Sequence, residues 1–483
     1  MSGQKQPVVG IIGMGDMGRM YAKRLKAGGV DSIYVCDKPE SYETLQKEFE
    51  GTGIIPLPNG HSVSRLSDFI IYSVEAAALT AVVREYGPST KIGAVVAGQT
   101  SVKAPEKEAF ENYLPEDVGI TSVHSLHGPT VTTEGQPLII IHHRGPESNI
   151  KMVEDVFRSF KSRYVYLSYE EHDEVTANTQ AVTHAAFLSM GTAWKNSSSY
   201  PWETARYVSG IEVVKVNITL RIYSAKWHVY AGLALLNPSA KIQIQQYSKS
   251  VTELFKLMVE NKQKELQDRV WESREKVFGW KKNQDPPSSS SSSTSSSSSS
   301  SSENHQIRDP ILLSEKILDE FSLGGSSNLN SSSSSSSPSN EGVNVNSSTP
   351  NSHLSLLAMV DCWSKLGIRP YEHLTVAGTP VFMLWIGVAE YLFRSTSLLS
   401  SAIQAALSDR IHRPDDIEFV VAARGWSECI SFGNFDLYQK RFEETSNFFS
   451  PRFEEATKLG GRMIKAIQDM QAGKKTNGEP NVQ

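Results

Sequence analysis

The chain is poor in cysteine, lacks a long apolar run and carries little excess charge. Three cysteines among 483 residues, far apart and without metal-ligand spacing, exclude a disulfide framework and fit a reducing compartment. The longest apolar stretch, residues 380–392, is too short to span a bilayer. A net charge of −5 argues against a large nucleic-acid or anionic-membrane surface. We therefore expect a cytoplasmic protein that binds neither nucleic acid nor membrane.

A glycine-rich loop near the N-terminus gives the strongest local signal. A β-branched run at residues 8–12 leads directly into Gly-x-Gly-x-x-Gly at residues 13–18, and a helix-forming segment follows. Gly13 allows the tight turn, Gly15 lets a pyrophosphate approach the backbone, and Gly18 lets the helix pack on the strand. The helix N-terminus favours phosphate. A dinucleotide site is therefore predicted.

The order of predicted elements indicates an α/β fold followed by helices. Strands alternate with helical patterns as far as residue 167, which predicts a Rossmann-type doubly wound sheet with ligands at the carboxyl ends of its strands. Beyond it, residues 170–194, 215–237 and 243–277 read as three long helices. The predicted divisions are a dinucleotide-binding domain (1–167), a helical substrate and dimerisation domain (168–284), a Ser-rich disordered insert (285–350), the helical domain continued (351–472) and a flexible tail (473–483).

Polar residues at the predicted strand ends and in the first loop should surround the cofactor. The predicted cofactor-binding residues are Gly13, Met14, Gly15, Asp16, Met17, Gly18, Asp37, Lys38, Ser73, Val74 and Gly98. Asp37 ends the second strand, where an acid usually accepts from the ribose 2′-hydroxyl and so favours NAD. Lys38 follows it and could pair with the 2′-phosphate of NADP. The residues alone leave this choice open.

Histidines and one arginine are the candidate groups for chemistry. His124 ends a predicted strand beside the crevice, where neutral imidazole could accept a hydroxyl proton, and His127 lies near enough to be the base instead. His172 and His184 would lie about 18 Å apart along one helix, so they cannot share a metal ion, and no metal site is expected. Arg221 either pairs with a helix-surface acid or clamps a substrate carboxylate.

Two of these candidates keep an ordinary structural interpretation beside the functional one. Ser101 follows the strand that ends at Gly98, where it either touches the reacting part of a ligand or caps the next helix. His184 lies in an apolar, small-residue stretch and is either a core histidine or part of a pocket wall.

Taken together, these motifs resemble those of prephenate dehydrogenase, and they are similar to the fungal NADP-dependent type of that family. The resemblance is carried by residues 13–18, 99–103, 124–129, 171–173, 180–184 and 220–221. It implies a dinucleotide-binding domain, a helical dimerisation domain and a homodimer. It also implies the oxidative decarboxylation of prephenate to 4-hydroxyphenylpyruvate with reduction of NADP, a step of L-tyrosine biosynthesis.

The resemblance implies a role for each candidate side chain. His124 matches the catalytic histidine, because Gly128 and Pro129 follow it at the family's spacing. Ser101 matches a serine that hydrogen-bonds near the substrate hydroxyl, and Arg221 matches an arginine that holds a carboxylate of prephenate. His184, His172 and His127 are the further expected substrate-binding residues, and NADP is the expected cofactor, with NAD kept open by Asp37.

Other functions fit parts of the same pattern. An arogenate dehydrogenase or a β-hydroxyacid dehydrogenase would also join a dinucleotide domain to helices. The latter usually carries a catalytic lysine on the long helix after the sheet, where the nearest lysine here is Lys195. A non-catalytic, NADP-sensing protein would lack a catalytic group, against which His124 and Arg221 argue.

Overall fold

The computed structural model describes residues 6–203, 210–282, 285–286, 351–462 and 465. The predicted Ser-rich insert, apart from its first two residues, and the predicted tail lie outside this part of the chain. The fold divides into two compact units. The first comprises residues 1–181, 228–240 and 373–379, and the second comprises residues 182–227, 241–372 and 380–483.

The first unit is built on one sheet of eight strands. These are β1 (Val9–Ile12), β2 (Ile33–Cys36), β3 (Ile54–Pro56), β4 (Phe69–Tyr72), β5 (Val95–Gly98), β6 (Gly119–Ser125), β7 (Pro137–Arg144) and β8 (Arg163–Tyr166). Their order is β3-β2-β1-β4-β5-β6-β7-β8. Neighbours are parallel except β6 and β7, which pair antiparallel. The predicted doubly wound sheet is confirmed, and β3 is a strand that the sequence patterns did not indicate.

Helices cover both faces of this sheet. They are α1 (Asp16–Ala27), α2 (Tyr42–Glu48), α3 (Gly60–Leu66), α4 (Ala76–Tyr86), α5 (Ala104–Tyr113), α6 (Ser148–Phe157) and α7 (Tyr169–Thr176). The strands' continuous apolar runs bury both sides, which gives two core clusters. Strand order reverses between β1 and β4, so the crevice at their carboxyl ends is where a dinucleotide binds in such sheets.

The predicted helix over residues 170–194 is interrupted. Helix α7 ends at Thr176, a π-helical turn spans Ala177–Ala181, and α8 (Val182–Asn196) follows. The hydroxyl of Thr176 donates to the Asp173 carbonyl, and that of Thr179 donates to the Val175 carbonyl. Such back-bonding hydroxyls compete for the carbonyls of the regular ladder, and a spacing pattern does not reveal this.

The other two long helices predicted from the sequence are each two helices. The remaining elements are α9 (Ile211–Tyr223), α10 (Trp227–Leu236), α11 (Pro238–Val259), α12 (Gln263–Phe278), α13 (Leu354–Leu366), α14 (Pro370–Ala377), α15 (Pro380–Arg394), α16 (Thr396–Ser408), α17 (Arg413–Phe432) and α18 (Phe435–Phe449). The break before α10 follows Ser224, whose hydroxyl bonds the Arg221 carbonyl. The break before α12 contains Asn261 in the left-handed conformation.

The second unit is entirely helical where it is described, with a core of aromatic and small residues. Gly191 on α8 lies against Tyr223 of α9, whose ring a Cβ at position 191 would meet at 2.3 Å. The Trp426 indole donates to Thr192 Oγ1 at 2.8 Å. Among the described residues, no helix is long and apolar enough to cross a membrane.

Candidate active site

The loop between β1 and α1 has the geometry that a phosphate-binding turn requires. Gly13 has a φ of 101°, and a Cβ there would meet the Ser73 carbonyl oxygen at 2.4 Å. A Cβ at Gly18 would lie 2.1 Å from the Gly13 carbonyl oxygen. These two glycines are therefore required by the protein itself, since the turn packs against the end of β4.

Gly15 differs, because nothing in the protein explains it. Its φ of −68° and ψ of −170° suit any residue, and a Cβ there would meet no described atom within 4 Å. It is also the N-cap of α1 and gives that helix no side-chain cap. Backbone N–H groups at a helix N-terminus suit a phosphate, so this turn fits the pyrophosphate of a dinucleotide.

The other loop residues divide between core and crevice. The Met14 side chain is fully buried and Met17 packs against the core cluster under the sheet, whereas Asp16 is exposed. Ser73 and Val74 follow β4 and are half-buried, and the Gln99 amide donates to the Ser73 hydroxyl. The ends of β4 and β5 are therefore linked beside the glycine loop.

Asp37 uses both carboxylate oxygens on backbone groups. Oδ2 accepts from the Met14 N–H at 2.7 Å and Oδ1 accepts from the Lys38 N–H at 2.7 Å. The carboxylate thus holds the glycine loop against the end of β2. The Lys38 side chain is exposed, and no described residue pairs with it.

Three buried side chains form a hydrogen-bonded relay behind the end of β6. His124 Nδ1 lies 2.8 Å from His172 Nε2, and His172 Nδ1 lies 3.0 Å from Asp173 Oδ1. The Asp173 carboxylate also accepts from the backbone N–H groups of Lys103 and Ala104, at 2.7 and 2.8 Å. Asp173 therefore anchors the first turn of α5 and orients the relay together.

The direction of this relay follows from its acceptor at one end. A carboxylate only accepts, so His172 carries its proton on Nδ1 and offers Nε2 as the acceptor for His124 Nδ1–H. His124 Nε2 is left as a lone pair, an assignment made from the hydrogen-bond partners. His172 is fully buried and both of its nitrogens are engaged.

Burial keeps both relay histidines neutral. Desolvation, reinforced by His172, Lys103 and His127, holds the pKa of His124 well below its usual value. Desolvation, then Lys103, does the same for the pKa of His172. Burial raises the pKa of Asp173 to about 6 against the opposing effect of its hydrogen bonds. A neutral imidazole with a lone pair can accept a proton throughout the physiological range.

A buried ion pair holds the loops around His124 in place. Lys103 Nζ lies 2.9 Å from Glu106 Oε1 and donates to the carbonyls of Gly98 and Val123, each at 3.0 Å. It thereby ties the end of β5 to the end of β6. Sequence patterns missed Lys103 and Glu106; their three-residue spacing on a helix start is the only local signal.

Ser101 lies on the loop that this lysine secures. The N-cap of α5 is Lys103, which provides no side-chain cap, so the interpretation of Ser101 as a helix cap is wrong. The Ser101 hydroxyl is half-buried and has no hydrogen-bond partner among the described side chains and backbone. The Tyr21 hydroxyl lies 2.5 Å from Ser125 Oγ, which links α1 to the residue after His124.

His127 is the less constrained of the two candidate bases. It is half-buried, its Nδ1 lies 3.0 Å from the carbonyl oxygen of Gly128, and burial lowers its pKa. No carboxylate or second imidazole orients it in the described structure. Asn237 also supports the relay, because its amide donates to the Asp173 carbonyl at 2.8 Å.

The remaining candidates belong to the second unit. His184 lies on α8, where burial lowers its pKa to about 4. Arg221 is half-buried in the last turn of α9, and no acid among the described residues pairs with its guanidinium. Lys195, the lysine nearest to the position used by β-hydroxyacid dehydrogenases, lies 3.8 Å from Glu444. Among the described residues, no cluster of three or more metal-ligating side chains occurs.

The sheet, the glycine loop and the histidine relay define a dinucleotide-dependent dehydrogenase. Residues 8–96 match a family described as NADP oxidoreductase, coenzyme F420-dependent. Residues 181–294 and 294–469 match a family described as a 6-phosphogluconate dehydrogenase C-terminal domain.

Two fungal relatives are similar over almost the whole chain. "Probable prephenate dehydrogenase [NADP(+)]" of Schizosaccharomyces pombe is 50% identical over 96% of this chain and 98% of its own. "Prephenate dehydrogenase [NADP(+)]" of Saccharomyces cerevisiae is 48% identical over 97% of each. A solved prephenate dehydrogenase from A. aeolicus shares 22% identity over 56% of this chain and 96% of its own, with a TM-score of 0.46. The chain belongs to the prephenate dehydrogenase family, which confirms the predicted resemblance.

Proposed function

We propose that this chain oxidises and decarboxylates prephenate to 4-hydroxyphenylpyruvate, with His124 as the base. The activity and the NADP cofactor predicted from the sequence are those named for the two fungal relatives. The observation that carries the role of His124 is the relay, which leaves Nε2 as a lone pair at the carboxyl end of β6.

NADP, when bound, accepts the hydride from the ring carbon that bears the hydroxyl. His124 Nε2 takes the hydroxyl proton as the hydride departs, and Ser101 can hold that hydroxyl in place. The ring carboxylate then leaves as CO₂, and its bonding electrons make the ring aromatic. The protonated His124 returns its proton to the phenolate oxygen, so the base is regenerated.

The relay gives His172 and Asp173 a positioning role. His172 has no free nitrogen with which to contact a ligand, so it acts by fixing the tautomer of His124. Lys103 and Glu106 hold the two loops that bear Ser101 and His124. His127 and His184 remain candidate substrate contacts.

The proposed cofactor contacts follow from the glycine loop and its neighbours. Gly13, Gly15 and Gly18 would hold the pyrophosphate, while Ser73, Val74 and Gly98 would border the crevice. Since Asp37 is committed to backbone N–H groups, Lys38 is free to pair with the 2′-phosphate, which supports NADP over NAD.

Replacing Gly15 by Val should impair cofactor use without harming the fold. Because the added side chain meets no protein atom, the thermal midpoint should stay unchanged, while the Michaelis constant for NADP rises at least about tenfold. Steady-state kinetics and thermal denaturation measure both quantities. Gly18→Val is the matched control and should destabilise the protein, because its Cβ meets the Gly13 carbonyl. An unchanged NADP constant in Gly15→Val would place the pyrophosphate elsewhere.

Replacing Arg221 by Ala should chiefly weaken prephenate binding. A guanidinium without an acid partner is available to bind a carboxylate, and losing a charge-assisted pair of hydrogen bonds should raise the Michaelis constant about 10- to 100-fold. The turnover number should change much less. Arg221→Lys keeps the charge but loses the bidentate geometry, so it should fall between wild type and Ala. A normal constant for prephenate in the Ala variant would leave Arg221 a structural residue.

A spectrophotometric assay of NADPH formation tests the proposed function. We expect turnover with prephenate and NADP, and slower turnover when NAD replaces NADP. Arogenate, in which an amine replaces the keto group of the side chain, is the matched competing substrate. Faster turnover with arogenate would make the chain an arogenate dehydrogenase, and no turnover with either would support the non-catalytic alternative.

The chain is also proposed to form a homodimer. The helical unit exposes large apolar side chains on α11 and α17, namely Ile242, Val259, Ile417, Val421 and Phe432. Such residues on helix surfaces often mark a partner-binding face. Light scattering after size-exclusion chromatography should give about twice the chain mass of 53.3 kDa, and a single-chain mass would contradict the proposal.

A cytoplasmic location is proposed from the thiols. All three cysteines are free and buried, which fits a reducing compartment. Cell fractionation with an antibody against the chain would test it, and recovery in an oxidising, secretory fraction would contradict it.

A further inference from the structure

A second polar cavity lies wholly within the helical unit. It has a volume of about 50 Å³ and is bordered by α8, α9, residues 351–355 and the start of α17. A buried water needs roughly 10–15 Å³ on this measure, so the space suits a few non-hydrogen atoms of a small ligand. One wall is apolar and includes Trp194 and Phe419, and the opposite wall carries charge.

The charged wall is centred on Glu212, in the first turn of α9. This residue is 6% exposed, and its Oε1 receives Lys215 Nζ at 2.9 Å, His353 Nδ1 at 3.0 Å and Asn351 Nδ2 at 3.3 Å. Its other oxygen, Oε2, is buried and has no hydrogen-bond partner among the described residues. Leaving a buried acceptor unsatisfied costs free energy, so Oε2 is the group in this cavity that lacks a donor.

Glu212 is ionised in this setting. Burial alone would raise its pKa, but Lys215 and His353 outweigh that effect and lower the pKa to about 2. His353 itself is held neutral, because burial lowers its pKa. Lys215 is therefore the one full positive charge on the described lining of the cavity.

Two further carboxyl groups border the same space. Asp416 accepts from the Ser352 hydroxyl, at 3.1 and 3.2 Å to its two oxygens, and burial raises its pKa to about 7. Asp415 also lines the cavity. Three acids against one lysine leave the lining with a net negative charge near neutral pH, which favours a cationic ligand.

We propose that this cavity binds a small organic cation through a primary ammonium group, which donates to Glu212 Oε2. The alkyl part of the ligand lies along Trp194 and Phe419, whose ring faces also attract a cation. The ammonium group supplies the hydrogen bond that Oε2 lacks and offsets the excess of carboxylates. This binding site is separate from the residues assigned to the dehydrogenase reaction.

Isothermal titration of the full chain with n-propylammonium chloride tests the proposal. We expect saturable binding with a dissociation constant on the order of 1 mM, as suits a ligand of four non-hydrogen atoms. Propan-1-ol, which has nearly the same shape and no charge, is the matched ligand control and should not bind. Equal binding of propan-1-ol, or no saturable binding of the cation, would overturn the proposal.

Variants distinguish this cavity from other anionic surfaces. Glu212→Gln should weaken n-propylammonium binding at least about tenfold, whereas Glu443→Gln, at an exposed position on α18, should leave it unchanged. Should Glu212→Gln fail to fold, Asp416→Asn should still weaken binding. Undiminished binding in the folded variants would overturn the proposal, as would potassium competing as strongly as the organic cation.

Discussion

The His124→Asn variant is expected to lose turnover by a factor of about 10²–10⁴. Asn offers no lone pair of imidazole basicity at the end of β6, so the hydroxyl proton of prephenate has no acceptor. The dissociation constant for NADP should stay close to wild type, because His124 is not among the proposed cofactor contacts. Steady-state kinetics with prephenate and fluorescence titration with NADPH measure the two effects.

His127→Asn is the matched control for that variant. It replaces the neighbouring candidate base, which no described carboxylate or imidazole orients. Its turnover should remain within a few-fold of wild type. If instead His127→Asn lost the larger factor and His124→Asn kept near-normal turnover, the assignment of the base would move to His127.

The Asp173→Asn variant is expected to lose turnover by a comparable factor, about 10²–10⁴. An amide that turns its N–H₂ towards His172 forces that imidazole to carry its proton on Nε2. His124 must then accept at Nδ1 and carry its own proton on Nε2, so its lone pair no longer faces the substrate. Tautomer inversion at a catalytic histidine can cost up to about 10⁴-fold.

Two measurements separate this effect from a loss of structure. Glu174→Gln changes the next acid on the same helix, which is exposed, and should leave turnover unchanged. The Michaelis constant for NADP in Asp173→Asn should also stay near wild type if the fold is kept. A stable, folded Asp173→Asn protein with normal turnover would show that the relay does not set the tautomer of His124.

The sequence was sufficient for the parts of the fold that depend on local pattern. The glycine loop, the alternating strands and His124 at a strand end are all defined by neighbours in the chain. Their structural requirement is also local, since Gly13 and Gly18 are fixed by contacts of one turn with the end of the next strand. Sequence reasoning therefore predicted the sheet and the residues placed around its crevice.

The relay could not be predicted, because it depends on tertiary contacts. His124 and His172 are 48 residues apart, and Asp173 gains its role only when α7 packs beside the start of α5. Spacing along an assumed single helix suggested instead that His172 and His184 act as two independent pocket residues. The π-helical turn between them and the buried Lys103–Glu106 pair likewise leave no distinctive pattern in the sequence.

The pH dependence of kcat/KM for prephenate tests the central claim most directly. Burial, His172 and Lys103 hold the pKa of His124 below its usual value, and Asp173 remains mostly ionised above a pKa of about 6. A base with a lowered pKa stays neutral as the pH falls and loses activity only below that pKa. We therefore expect kcat/KM to be flat from about pH 6.5 to 8 and to decline only at about pH 6 or lower. A decline that is already centred at about pH 7 or above would contradict proton abstraction by His124 in this relay.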